Sequence, residues 1–128
     1  MRGAPVPELP SRTAPHLVYG LAVLDRYGRL AERAVLHVLG WTPAQALSFT
    51  VVLGSVLVVS ATEARSRIGA DLYLRLPVGV RRACRLAAGD RVLLVADPIA
   101  GRLLLHPPVA LDAVLAAHHA AMIAGVRS

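Results

Sequence analysis

"LPVGVRRACRLAAGDRVLL", residues 76–94, is the stretch on which the reading of this chain turns. Pro77 opens it, Arg81, Arg82 and Arg85 crowd one short helical segment, the turn Ala87-Ala88-Gly89-Asp90 follows, and an apolar run closes it. At helical spacing Val80 and Cys84 turn toward a core, while Arg81 and Arg85 share a face that Arg82 flanks. Like charges held that close repel one another, and an anion such as phosphate relieves the repulsion. Pro77 suits the first helical turn, where neighbouring amides add a phosphate contact. Arg75 alternates with Leu74 and Leu76, so it points away from the core and toward the same surface.

The stretch has a counterpart upstream. Sliding the chain by 45 positions lays Val35 on Val80, Leu39 on Cys84, Trp41 on Leu86, Pro43-Ala44-Gln45 on Ala88-Gly89-Asp90 and Leu47 on Val92. "GSVLVV" (54–59) then matches "GRLLLH" (101–106) at a shift of 47, because the "ADPIAG" turn is two residues longer. A degenerate duplication follows: a first repeat over 17–60 and a second over 61–107, folding as one unit because neither half alone buries enough surface.

Within the first repeat Leu17–Leu24 reads as a strand, "DRYG" (25–28) as a turn and Arg29–Ala31 as a short return strand. "ERAVLHVL" (32–39) reads as a short helix ended by Gly40, and "ALSFTVV" and "SVLVVS" as a hairpin around Leu53-Gly54. Residues 34–62 carry no formal charge and are long enough to span a bilayer, but Gly40, Pro43, Gln45, Gly54 and the β-branched run favour helix, turn and strands. Residues 1–16, with four prolines, read as a flexible arm. In the C-terminal segment 108–128, residues 108–125 read as a helix whose stripe of Leu111, Val114, Leu115, His118 and Met122 packs on a barrel formed by the strands or on a partner subunit.

Composition narrows the function classes. All 14 basic residues are Arg, and the net charge of +6 is unevenly spread: 61–107 carries +4 and 17–60 only +1. Arginine forks match phosphate and guanine, although a G+C-rich genome also replaces Lys with Arg. The single cysteine, Cys84, excludes an internal disulfide and a cysteine-based zinc site, and it reads as a small core residue. His118 and His119 point about 100° apart on a helix and do not chelate one ion together. No phosphate-cradling glycine loop, H-E-x-x-H or G-x-S-x-G occurs, and Asp25, Asp90 and Asp97 fall at turns or strand starts. The expectation is therefore a non-enzymatic protein with no cofactor and no metal.

The order strand, "GR", strand, P-x-x-apolar-R-R, short helix, x-x-G-D, strand, turn, strand resembles the AbrB/MazE/SpoVT family of swapped-hairpin transcription factors. In the second repeat the likeness runs over "LRLPVGVRRACRLAAGDRVLLVADPIAGRLLLHPP" (74–108), and in the first over "LDRYGRLAERAVLHVLGWTPAQALSFTVVLGSVLVVS" (24–60). The resemblance implies a mainly β fold with short helices: two interlocked hairpin–helix–hairpin units forming a β-barrel, with basic residues of the first hairpins and helix starts on DNA. Both units lie in one chain, as in the similar MraZ proteins, which implies a tandem, pseudo-dimeric barrel plus the C-terminal helix.

Each repeat departs from the pattern differently. The second keeps Pro77, Arg81-Arg82 and Gly89-Asp90 but has Leu72-Tyr73 in place of Gly-Arg. The first keeps Gly28-Arg29 but has Glu32, Leu36-His37 and Ala44-Gln45 for the other elements, with one residue fewer between Arg29 and the helix. The expectation is an asymmetric reader of double-stranded DNA, a bacterial regulator in the cytoplasm at the nucleoid, contacting the duplex through Arg29, Arg75, Arg81, Arg82 and Arg85. The alternative is a protein-interaction or antitoxin-like module using the C-terminal helix, which would also serve for homo-oligomerisation. Membrane association is not expected.

Overall fold

Alternating apolar residues on the strands and two short helices, each with one apolar face, supply the frame of this chain. The structure is a computed structural model describing residues 17–63 and 66–127; the arm expected over 1–16 lies outside the described residues. In chain order the elements are β1 (Val18–Val23), β2 (Arg29–Leu30), α1 (Arg33–Val38), β3 (Ala46–Val52), β4 (Ser55–Ser60), β5 (Ser66–Arg67), β6 (Leu74–Arg75), α2 (Val78–Ala83), β7 (Arg91–Asp97), β8 (Arg102–His106) and α3 (Pro108–Arg127). The uncharged run 34–62 is thus most of α1, a turn and the β3–β4 hairpin.

Every strand pairing is antiparallel. Six strands form one sheet in the order β1-β7-β8-β4-β3-β5, and β2 pairs with β6 in a separate ribbon. The order reads the same from either end when β1–β4 are exchanged with β5–β8. The first strand of each half pairs in the other half: β1 with β7, and β5 with β3. Backbone bonds repeat this exchange. Gly89 N donates to Leu24 O and Leu24 N to Asp90 O, as Ala44 N does to Ile68 O and Ile68 N to Gln45 O.

Left-handed backbone recurs at matching places: Gly28 and Leu72, 44 residues apart; Gly40 and Arg85, and Ala44 and Gly89, 45 apart; Gly54 and Gly101, 47 apart. These spacings follow the alignment of the two repeats, including the residue missing before α1.

The core lies between the inner face of the six-stranded sheet and a layer made of α1, α2 and the β2–β6 ribbon. At its centre Val56 faces Leu105 and Val58 faces Leu103 across the β4–β8 seam, all four fully buried. Leu30 and Leu74, paired on the ribbon, close the core from the opposite side, with Val35, Leu36, Val80 and Cys84 from the helices. Burying side chains from both halves in one cluster makes each half depend on the other.

Two expectations need correction. The six-stranded sheet is open: β1 and β5 are its two ends and do not pair with each other. The described part of β5 is Ser66–Arg67, and the helices and ribbon cover the inner face that closure would otherwise bury. Of the two places expected for α3, packing on the sheet is limited among the described residues to the first turn, where Ala110 is buried; Val114, Leu115 and Met122 of the expected stripe are exposed in the single chain.

Candidate nucleic-acid interface

The β2–β6 ribbon sets Arg29 directly opposite Arg75, both turned outward by the inward burial of Leu30 and Leu74. Two guanidinium groups in that position repel, and the chain treats them differently. Arg29 Nε lies 2.7 Å from Asp25 Oδ2, and its Nη1 lies 3.5 Å from Asp71 Oδ2. Its guanidinium also sits over the rings of Tyr73 and Tyr27, 4.5 Å and 5.0 Å from their centroids.

Asp25 is itself fixed, since its Oδ1 accepts from Tyr27 N at 2.8 Å and Arg29 N at 2.9 Å. Desolvation works to raise this carboxyl, yet the backbone N–H and guanidinium of Arg29 and the Tyr27 N–H hold it below the ordinary carboxylate value. The bond from Asp25 in turn raises the Arg29 guanidinium. Arg29 is thus a neutralised brace between the two hairpin turns.

Arg75 stays exposed and joins a different group. An open depression of about 420 Å³ is lined by Arg67, Arg75, Arg81, Tyr27 and Ser66, with Leu76, Pro77 and Val78, and no carboxylate is among its lining residues. Arg67 is held by donation from its Nη1 to Ala44 O at 2.9 Å. Arg81 is half-buried, donates from Nε to Leu76 O at 3.1 Å and lays its guanidinium over Gly28. A Cβ at Gly28 would come within 2.8 Å of Arg81 Cζ, and φ there is +76°, so the glycine serves both the turn and the arginine. Among the described residues the ion pairs involve only Arg29 and Arg102 as cations, so Arg67, Arg75 and Arg81 have no carboxylate partner there.

Helix α2 adds Arg82, exposed, on its last turn. Its N-cap is Pro77, one residue before the helix proper. The expected shared face of Arg81 and Arg85 is not formed. The helix ends at Ala83, Cys84 is its C-cap, and Arg85 is left-handed at φ +53°. Leu86 N donates to Arg81 O at 2.8 Å and Arg85 N to Arg82 O at 3.2 Å, the pair of bonds of a Schellman ending. Arg85 therefore projects from beyond the helix, exposed. Cys84 is buried and desolvation pushes its thiol up, which suits a core residue and not a thiolate.

In the first half the corresponding surface is apolar. Leu36, in the place of Arg81, is buried, and a hollow of about 430 Å³ there is lined by Trp41, Leu36, Leu72, Ala34 and Pro43, with Arg33 and His37. Elsewhere, the rings of His118 and His119 diverge, with centroids 6.4 Å apart and planes 51° apart. Of the arginines expected at the site, Arg75 and Arg81 come together, Arg82 and Arg85 flank them on α2 and its end, and Arg29 is tied up beside them. Arg67 and Tyr27 were not legible as members: Arg67 lies on a two-residue strand with no periodic signal, and Tyr27 sits in a turn. Comparison with family models, curated proteins and solved structures gives no match, so the reading of this face rests on its own residues.

Proposed function

We propose that this chain is a DNA-binding protein, built as a fused pair of swapped-hairpin units, that lays the arginine face of its second half on the phosphate backbone. One observation carries the reading: Arg67, Arg75 and Arg81 line one open depression with no carboxylate in it, each without an ion-pair partner among the described residues. Unpaired guanidinium groups placed around a concave surface suit a phosphate, which accepts from several donors at once. The exchange of first strands between the halves supports the swapped-hairpin reading, with an open sheet in place of the closed barrel. The resemblance to the AbrB/MazE/SpoVT family extends the proposal to transcription regulation in the bacterial cytoplasm, without a catalytic step. Arg29 acts in it as a brace, and Arg82 and Arg85 as flanking contacts.

The test is fluorescence anisotropy of a labelled duplex at several salt concentrations. Each phosphate contact contributes about 0.9 to the slope of log K against log salt. The Arg75→Ala/Arg82→Ala variant changes two exposed side chains outside the core, so it should fold normally, bind about tenfold or more weakly, and flatten that slope by about 2. Absence of binding by the unaltered chain at low salt would remove the DNA reading. The second reading, a protein-interaction module, is favoured by the exposed apolar α3 and is compatible with the first.

A further inference from the structure

The apolar hollow on the first half stands where the second half carries its arginines. Across the repeat Leu36 takes the place of Arg81 and His37 that of Arg82, while Leu72 holds the left-handed place of Gly28 at φ +61°. In the second half the bare Gly28 makes room for the Arg81 guanidinium. In the first half a leucine stands there, half-buried against the core, in a backbone conformation uncommon outside glycine. Leu72 and Leu36 wall a hollow of about 430 Å³, a size common among small-molecule sites, and Trp41 lines it at 7% exposure. The indole N–H of Trp41 makes no hydrogen bond among the described residues and is not sealed from solvent, so it is free to donate.

The hollow also has a basic rim. Arg33 and His37, four residues apart on α1 and both exposed, are among its lining residues, and no carboxylate is. The carboxylates adjacent in sequence are turned elsewhere: Glu32 lies over Gly20 of β1, and Asp71 reaches Arg29. Arg33 has no ion pair among the described residues. An indole and two leucines take an apolar body out of water, and a single guanidinium fork suits a carboxylate, which it binds through two parallel bonds. A phosphate ester, with charge spread over more oxygens, is better matched by the several guanidinium groups of the other half. We infer that this hollow binds a small organic acid, its apolar body against Trp41, Leu36 and Leu72 and its single carboxylate at Arg33. The inference does not depend on DNA binding.

Trp41 is the only tryptophan of the chain, so its fluorescence reports on the hollow. Titration of the full chain with octanoate should change that emission saturably, with a dissociation constant of about 0.1–1 mM. Acetate offers only the charge and 1-octanol only the apolar body, so each should bind about tenfold or more weakly. Arg33→Gln, at an exposed position, should weaken octanoate about tenfold and leave 1-octanol unchanged. Ala34→Glu, also exposed, sets a carboxylate at the hollow and should weaken octanoate by about tenfold or more, with the far-ultraviolet circular dichroism unchanged in both variants. No saturable change up to about 10 mM octanoate, 1-octanol binding as tightly as octanoate, or octanoate binding indifferent to the two substitutions would overturn the inference.

Discussion

Arg85→Gly should make this protein more stable and, on the proposed DNA-binding function, weaken its affinity for a duplex. Arg85 occupies the left-handed C′ position after α2, at φ +53°, while its counterpart in the first half, Gly40, holds the same place at φ +70°. A side chain in that conformation costs about 1–2 kcal/mol. Glycine removes that cost but gives back about 0.5–1 kcal/mol through the greater freedom of the unfolded chain. The net gain is about 0.5–1 kcal/mol, a rise of about 0.3–0.5 M in the urea midpoint at an unchanged slope of about 2 kcal/mol/M. The mirror substitution, Gly40→Arg, should lower the midpoint by a similar amount: no atom lies within 4 Å of a Cβ built there, so the backbone conformation alone sets the penalty. On the DNA side, loss of one phosphate contact should flatten the salt slope by about 0.9. A drop in stability for Arg85→Gly would refute the account of the α2 terminus. Unchanged affinity and slope would remove Arg85 from the interface.

The other consequences can be checked with the same unfolding and binding assays. Leu103→Ala, at a fully buried position facing Val58 across the β4–β8 seam, should cost about 2–5 kcal/mol in urea unfolding, and a cost below 1 kcal/mol would mean that the seam is not the common core. Gly28→Ala imposes a left-handed alanine and displaces Arg81, so it should lose about 1–2 kcal/mol of stability and also weaken DNA binding; full retention of affinity would show that the seat of Arg81 is irrelevant to the interface. Stability should fall on mild acidification, because desolvation holds the His106 imidazole, hydrogen-bonded to Ser55 Oγ at 2.8 Å, below its ordinary 6.5. Below that pH the unfolded chain takes up the proton more readily than the folded one, so stability present above about 6.5 is lost as the pH falls toward the folded value. His106→Gln should flatten the profile between pH 7.5 and 5.5, and an unaltered profile would assign the acid response to other groups.

Much of the local architecture was legible in the residues. The strand expected over 17–24 runs from Val18 to Val23, the helix over 32–39 from Arg33 to Val38, and both hairpin turns fall where Gly54 and Gly101 stand. The weaker part was the surface. A spacing of four suggested that Arg81 and Arg85 share a face, because helical periodicity assumes that the helix continues; α2 stops at Ala83, and with arginine instead of glycine at the C′ place the ending is unmarked. Arg29 looked like Arg75 in sequence, and only its approach to Asp71, 42 residues away, together with the local Asp25 bond, sets it apart.

The sequence by itself determined the longer strands, the short helices and the concentration of positive charge in the second half. Those properties follow from periods of 2 and 3.6 residues and from composition, which the chain carries locally. Only the tertiary structure decided that β1 pairs with β7 and β5 with β3, that Arg67 joins Arg75 and Arg81, that the sheet stays open and that α3 leaves the sheet beyond its first turn. Each of those outcomes depends on which distant groups meet once the two halves bury their apolar faces against each other.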